Sequence, residues 1–336
     1  MTMTGRALAR LAGATALALA AAGPSLAQEV TLRMHQFLPA QANVPTHILD
    51  VWAARVEEQS DGRIAVEHYP AMQLGGTPPE LIDQVIDGVA DVIWTVGGYT
   101  PGRFPSIEVM ELPFLVTDAG AASRAYWRLA EEQGLFEGEL SAFHPLGLWV
   151  HGPGLIHSTE PVEQPSDLAG VQLRAPTRTT TQLFTALGAT AVGMPVPGIP
   201  EALSKGVITA AVIPWEVTPS IRLSELVDYH TEFGGEYLYT TAFIFAMNND
   251  VYEGLPDDLK AVIDANSGID FSEFAGDTMV EYDAPGRQIA VDAGDTIIEL
   301  TPEQVDAWRE AAQPVIESWV AETENGAALL EAAEAL

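Results

Sequence analysis

The sequence of 336 residues contains no cysteine. This excludes disulfide bonds, thiol catalysis and thiolate metal sites. An exported chain of this length needs no disulfides, because 47% of its residues are hydrophobic and can form cores. Stability and function must therefore come from packing and from side chains other than thiols.

Basic residues are also scarce. The chain carries 15 Lys and Arg against 47 Asp and Glu, which gives a formal net charge of -32. A field of this sign disfavours nucleic acid and anionic membrane surfaces as partners. It also repels anionic ligands at a distance, so a site for an anion has to be built locally.

Familiar catalytic signatures are missing as well. The chain has no GxSxG elbow, no phosphate-binding loop and no GxGxxG turn, and its 7 histidines lack the spacing of metal ligands. A secreted hydrolase or lyase would need a nucleophile, a base or a metal set. We therefore predict a protein that is not an enzyme and that needs no metal or cofactor.

The first 27 residues have the three parts of a secretory signal peptide. Arg6 and Arg10 precede an apolar run at 11–22, and Ser25-Leu26-Ala27 has the small residues of a cleavage site. We expect the mature chain to begin near Gln28 and to reside in the periplasm. No later run is long or apolar enough to insert directly into a membrane.

Beyond the signal peptide, strand and helix patterns alternate, which is typical of an α/β fold with parallel sheets. The stretch "LGLWVHGPGLIHST" contains a Gly-Pro-Gly bend that fits a crossing between two domains. We predict domain I at 28–150 plus about 240–279, and domain II at 151–239 plus about 280–325. A C-terminal helical tail is expected at about 326–336.

Candidate binding residues follow the ends of predicted strands, where open α/β sheets bind ligands. Several are aromatic and suit the walls of a pocket that excludes water. In chain order, these candidates are Gln36, Phe37, Gln73, Trp94, Tyr99, His151, Arg174, Val196, Trp215, Glu216 and Phe243.

The segment "VQLRAPT" carries the charged candidate. Arg174 ends a short apolar–polar alternation, and Pro176 stops the strand two residues later. A guanidinium can donate two parallel hydrogen bonds to a carboxylate and stays charged at neutral pH. From the pattern alone, a structural ion pair with one of the many acids is an equally good reading.

Long segments of the chain resemble the DctP-type solute-binding proteins of tripartite ATP-independent periplasmic (TRAP) transporters. The matching segments are "LRMHQFLP", "DGRIAVEHYPAMQLGG", "FPSIEVMELPFL", "IHSTEPVEQPSDLAGVQLRAPT" and "LGATAVGMPVPGIPEALSKGVITAAVIPW". The resemblance implies a two-domain periplasmic binding-protein fold of the Venus-flytrap type, with crossing strands and a long domain-spanning helix. It also implies a small organic acid as ligand, TRAP small and large membrane subunits as partners, and no enzymatic activity. We expect a monomer.

The same resemblance assigns Arg174 to the arginine that pairs with the substrate carboxylate. Val196 stands where sialic-acid-binding members have a phenylalanine, and Pro214-Trp215 where many members have an asparagine. "GPGLIH" lacks the second arginine of the sialic-acid binders. These departures, with Trp215, Trp94 and Tyr99, favour an apolar or aromatic monocarboxylate.

Two alternatives remain open at this stage. The Trp215-Glu216 pair resembles members that bind 2-oxo acids through a bound cation, which would make Glu216 a metal ligand. A binding protein of an ATP-driven (ABC) transporter would carry the same export signal and hinge.

Overall fold

The computed structural model describes residues 28–335, so the predicted signal peptide and its cleavage site lie outside the described residues. The described chain contains strands and α-helices in alternation. The strands are β1 (Val30–His35), β2 (Ile64–Tyr69), β3 (Val92–Val96), β4 (His144–Trp149), β5 (Leu155–Ser158), β6 (Gln172–Ala175), β7 (Thr190–Gly193), β8 (Ala210–Ile213), β9 (Tyr229–Glu232), β10 (Phe243–Met247) and β11 (Thr296–Glu299). The α-helices are α1 (Asp50–Gln59), α2 (Leu81–Ile86), α3 (Ala119–Glu132), α4 (Arg178–Ala186), α5 (Ile199–Ser204), α6 (Asn249–Gly254), α7 (Asp257–Ala265), α8 (Ile269–Glu281), α9 (Asp283–Ala293), α10 (Pro302–Glu322) and α11 (Gly326–Glu334).

The strands form two sheets. The first has the order β2-β1-β3-β10-β4, and the second has the order β11-β9-β5-β8-β6-β7. In the first sheet β1, β2 and β3 are parallel, whereas β10 runs antiparallel to β3 and β4. In the second, β6 is parallel to β7 and β8. The α/β class predicted from the alternation is confirmed.

The antiparallel direction of β10 matters for the site. Its first residue, Phe243, lies opposite Val96 at the carboxyl end of β3 and opposite Trp149 at the end of β4. The start of β10 and the ends of β3 and β4 therefore meet at one edge of the first sheet. Arg174 occupies the corresponding position in the second sheet, near the end of β6 and opposite Val192 and Ala211.

The chain passes between the sheets through 150–154, which include the Gly-Pro-Gly bend, and returns through 233–242. Two consecutive helices also connect the halves, because α8 packs on α3 and β4 whereas α9 packs on the 3-10 segment Trp215–Ile221. This placement supports the predicted domain boundaries, which we keep as a proposal.

The break between the two helices that connect the halves lies at a different position from the one that the sequence indicates. Pro285-Gly286 suggests a break at that point, but α8 ends at Glu281 and α9 already begins at Asp283. Pro285 lies in the first turn of α9, where its missing N–H costs nothing because that group has no intrahelical partner.

Within residues 28–335, no helix combines the length and apolar character needed to span a bilayer.

The close packing of α8 on α3 depends on Gly276. A Cβ atom there would come within 2.5 Å of the Ala119 carbonyl oxygen and 2.4 Å of the Ser123 hydroxyl. We predict that Gly276→Ala lowers the unfolding free energy by about 1–3 kcal/mol, as overpacking of a tight contact does. Gly254→Ala is the matched control, because nothing lies within 4 Å of its added methyl group. Thermal unfolding of both variants checks this, and equal melting temperatures would contradict it.

Candidate functional site

A cavity lies between the facing edges of the two sheets. The space between them is about 380 Å³ when the open solvent at its mouth is included. The first half of the chain and the return segment line one side, and residues that follow β6, β7 and β8 line the other. The lining residues are Phe37, Leu38, Trp94, Val96, Tyr99, His151, Arg174, Pro176, Val196, Ile213, Pro214, Glu216, Val217, Tyr239, Thr241 and Phe243.

Aromatic rings form one wall of this cavity. Phe37 stacks on Trp94 with ring centroids 4.7 Å apart, and Tyr99 meets Phe37 edge-on at 5.5 Å. Phe243 lies 5.2 Å from Trp94. Offset-stacked and edge-on pairs hold flat rings rigidly, so the wall is preformed for a planar apolar ligand.

The Arg174 guanidinium is buried, with 1% of the residue exposed. Its Nε donates to the Met194 carbonyl at 2.8 Å and its Nη1 to the Val212 carbonyl at 2.9 Å. Nη2 forms no hydrogen bond of good geometry with a described residue, although the Tyr99 hydroxyl lies near enough to stabilise the charged guanidinium, and no acid within 28–335 forms a salt bridge with it. The structural ion pair that the sequence left open is therefore absent from this part of the chain, and one N–H face of Arg174 is unsatisfied.

Tyrosine hydroxyls surround this charge. The Tyr99 hydroxyl accepts the Val196 N–H at 3.1 Å, which leaves its own proton free to be donated. Burial raises the pKa of Tyr99 and of Tyr239, and the positive charge of Arg174 opposes both shifts. Both hydroxyls remain protonated at neutral pH, so this end of the cavity presents donors to an anion.

His151 lies at the same end and is uncharged at neutral pH. Burial and then the Arg174 charge lower the pKa of His151 to about 4, against an opposing hydrogen bond to Gly152. Nδ1 donates to the Gly152 carbonyl at 2.6 Å, so Nε2 accepts the Thr241 hydroxyl proton at 3.0 Å. His151 therefore orients Thr241 and adds no second positive charge.

Glu216 is the acid that lines the cavity, with 5% of the residue exposed. Its Oε2 accepts a hydrogen bond from Asn43 Nδ2 at 3.1 Å, and its backbone N–H donates to Asp283 Oδ1 at 2.8 Å. Burial and the Asp283 charge raise the pKa of Glu216 to about 8, and the Asn43 bond opposes this shift. The carboxyl is accordingly neutral at pH 7.

Hydrogen bonds join the two halves around the cavity. Asn43 precedes α1 on the first side and reaches Glu216 on the second, as Tyr99 does with Val196. Farther out, Arg178 at the start of α4 donates from Nε to Glu108 Oε1 at 3.2 Å. The contact between the two halves therefore includes several polar side chains around the cavity.

Most of the sequence-predicted site residues come together here. Eight of the eleven candidates line the cavity: Phe37, Trp94, Tyr99, His151, Arg174, Val196, Glu216 and Phe243. Tyr239, Thr241 and Asn43 were missed, the first two because they precede a strand. No local sequence pattern marks Asn43 as a site residue, because its partner Glu216 is 173 positions away along the chain.

The other three candidates, Trp215, Gln36 and Gln73, do not line the cavity. The Trp215 indole turns into the core of the second half, where Nε1 donates to Glu232 Oε1 at 2.8 Å and the ring packs on His157 and His230. Gln36 is buried and donates from Nε2 to the Leu38 carbonyl at 2.9 Å, so it shapes the loop before the cavity. Gln73 is exposed in the turn after β2.

The cation hypothesis for Glu216 finds no ligand set. Within residues 28–335, no group of three or more His, Asp or Glu side chains is placed to hold a metal ion. The carboxyl group instead bonds to an amide nitrogen, which is a donor and does not coordinate a cation.

The chain matches a known family over most of its length. Residues 36–323 match the family described as bacterial extracellular solute-binding protein, family 7. The C4-dicarboxylate-binding periplasmic protein DctP of Rhodobacter capsulatus is 26% identical over 319 residues, which cover 93% of each chain.

Two crystal structures are more similar. A TRAP solute-binding protein from Rhodoferax ferrireducens with copurified benzoate is 44% identical, with a TM-score of 0.89 over 91% of this chain and 96% of that one. A marine metagenome TRAP solute-binding protein specific for aromatic acids, with 3-hydroxybenzoate, is 42% identical, with a TM-score of 0.89 over 92% and 98%.

The raised pKa of Glu216 makes a pH-dependent prediction. An unfolded glutamate ionises near pH 4.5, whereas the buried one stays protonated to about pH 8, so stability is lost as the pH rises through this window. Glu216→Gln removes the charge but keeps an acceptor for Asn43. We expect the melting temperature of this variant to equal that of wild type at about pH 5 and to exceed it at about pH 8.

The exposed Glu131→Gln is the control and should show no such pH-dependent difference. Thermal unfolding of the unliganded proteins across the pH range measures it. A Glu216→Gln variant that melts at a lower temperature than wild type at the upper end of the pH range would contradict the prediction.

The fold matches these two TRAP solute-binding proteins over 91% and 92% of the chain, and the chain belongs to bacterial extracellular solute-binding protein family 7 as a DctP-type TRAP solute-binding protein.

Proposed function

We propose that this protein captures an aromatic monocarboxylate in the periplasm and delivers it to the small and large membrane subunits of a TRAP transporter. The observation that carries the proposal is the unpaired Nη2 of Arg174, buried at the donor-lined end of an aromatic-walled cavity. A ligand carboxylate there would form a salt bridge with Arg174 and accept hydrogen bonds from Tyr99 and Tyr239. The ligand carboxylate would neutralise the Arg174 guanidinium, which has no acid partner within residues 28–335.

Electrostatics supports one carboxylate in preference to two. Arg174 is the basic side chain that lines the described cavity, and Glu216 is an acid in the same lining. A second ligand carboxylate would therefore meet a neutral carboxyl group where a cation is needed, and the cost of removing its charge from water would not be offset. This disfavours the C4-dicarboxylates bound by the Rhodobacter capsulatus relative.

The shape of the wall supports an aromatic ligand body. Phe37, Trp94 and Phe243 offer flat apolar faces, on which a planar ring gains area and excludes water. The two more similar solved proteins hold benzoate and 3-hydroxybenzoate, which are acids of this class. The 2-oxo acid alternative lacks a cation ligand set in the described residues.

Release of an unchanged ligand completes the proposed role. The lining residues offer an arginine, neutral hydroxyls and a histidine already engaged with Gly152 and Thr241, and no activated nucleophile faces the cavity. We infer binding without turnover, by a monomer whose two halves close on one ligand.

Substitution of Arg174 tests the proposal. We expect Arg174→Ala to weaken benzoate binding by about 30-fold or more, because truncating one side of a buried charge pair costs about 2–5 kcal/mol. Arg174→Lys keeps the charge without the planar fork and should bind with intermediate affinity. Calorimetric titration of each folded variant gives the dissociation constants.

Arg33→Ala is the control, since that arginine is paired with Asp91 at 2.9 Å and does not line the cavity. It should keep wild-type affinity. Some loss of melting temperature in Arg174→Ala is expected, because the Met194 and Val212 carbonyls lose a donor. Benzoate binding within about threefold of wild type in Arg174→Ala would overturn the assignment of Arg174, since tenfold corresponds to ~1.4 kcal/mol.

A further inference from the structure

The proposed binding of a ligand carboxylate by Arg174 does not involve the Glu216 side chain. One carboxyl oxygen, Oε2, bonds to Asn43, but Oε1 forms no hydrogen bond with another described residue. The side chain is nevertheless more than nine-tenths buried and lines the cavity. Oε1 is not among the fully buried side-chain atoms that lack a partner, so it is the carboxyl oxygen that is open to the cavity and to a ligand group.

Glu216 and Arg174 are held by different parts of the cavity lining. The Arg174 guanidinium donates to the Met194 and Val212 carbonyls. Glu216 is held by Asn43, which precedes α1, and by Asp283 in α9. The lining thus has an arginine for an anion and a carboxyl group with its own partners, which we call the donor end and the carboxyl end.

The carboxyl end is built from rigid parts. Asp283, in the first turn of α9, fixes the Glu216 backbone through its N–H, and Asn43 holds one carboxyl oxygen. Asn43 Oδ1 is itself buried without a partner. Glu216 Oε1 therefore has a fixed position in the cavity. The unpaired Asn43 Oδ1 belongs to the same amide group that bonds to Glu216.

The chemistry of this end selects the ligand group. A second carboxylate would find no cation at this end, and a bare ring edge would leave the free carboxyl oxygen without a partner. A hydroxyl group can accept from a protonated carboxyl group or donate to its other oxygen, and it brings no charge into the cavity. It is also small enough to sit at the rim of a ring packed against the aromatic wall.

We propose that Glu216 is a specificity-determining residue whose carboxyl group forms a hydrogen bond with a hydroxyl group on the ring of the aromatic acid. This inference rests on the proposed function and narrows the ligand class to hydroxylated aromatic monocarboxylates. Because Glu216 also bonds to Asn43 across the two halves, the ligand hydroxyl would add to the contacts that keep the halves closed.

Calorimetric titration of parent and hydroxylated acids tests the proposal. The probes are benzoate, phenylacetate and their 3- and 4-hydroxy derivatives. Wild type should bind at least one hydroxylated acid about threefold to tenfold more tightly than its parent, as expected for one net hydrogen bond. Glu216→Met fills similar space without an acceptor, so this preference should vanish while the parent acid binds within about threefold of wild type.

Two further variants serve as controls. Glu216→Gln presents either its oxygen or its NH2 group to the cavity, and a hydroxyl can donate to the first or accept from the second, so the preference for the hydroxylated acid should remain. Glu111→Gln removes another buried carboxyl, one that bonds to the Ala242 N–H at 3.2 Å and does not line the cavity. It too should keep the preference, which separates a contact with the ligand from a general effect of losing a buried acid.

The outcomes distinguish this inference from the proposed function. Wild type that binds the parent acids without preferring any hydroxylated one overturns the role of Glu216 alone. So does a preference that survives in Glu216→Met or disappears in Glu216→Gln. Failure of wild type to bind any of these acids overturns the proposed function and, with it, this inference.

Discussion

The site depends on a guanidinium that is buried without a carboxylate partner. Removing such a charge from water costs several kcal/mol, and the Met194 and Val212 carbonyls offset only part of this by accepting from Nε and Nη1. The remaining nitrogen of Arg174, Nη2, forms no hydrogen bond of good geometry within 28–335, and under the proposed function a ligand anion would satisfy it. A protein with a net charge of -32 would thereby keep one local place where a negative group is stabilised. Tyr99 and Tyr239 strengthen that place with neutral donors and add no competing charge.

The remaining features of the cavity follow from how two sheets bring their edges together. The first sheet contributes the flat faces of Phe37, Trp94 and Phe243, and the second contributes Arg174 and Glu216. Neither half alone surrounds a ligand. Under the proposed function, affinity would couple to closure, because a ligand that bridges the halves would add to contacts such as the one between Tyr99 and Val196. The glycine contact between α3 and α8 positions the first of the two consecutive helices that connect the halves.

Sequence reasoning identified cavity residues well where one simple rule applies. Residues at the carboxyl ends of parallel strands meet at one sheet edge, and Trp94, Tyr99, Arg174 and Val196 follow this rule. It missed Tyr239 and Thr241 because β10 is antiparallel, so its beginning and not its end lies at that edge. It misplaced Trp215, whose ring turns away from the cavity to reach Glu232 within the second core. Strand order and side-chain direction after a strand end are set by tertiary packing, which local periodicity does not encode.

The sequence by itself determined the class of the molecule. The alternation of strands and helices, the lack of cysteine and catalytic motifs, and the segments around Arg174 were sufficient for an α/β solute-binding protein of the TRAP type. Tertiary structure alone decided whether Arg174 has an acid partner, because any of 47 acidic side chains is a candidate until the fold places them. It also decided that Glu216 is buried beside Asn43, which is 173 positions away along the chain. The physical reason is that burial and pairing depend on distances between residues remote in sequence, and only the packed fold sets those distances.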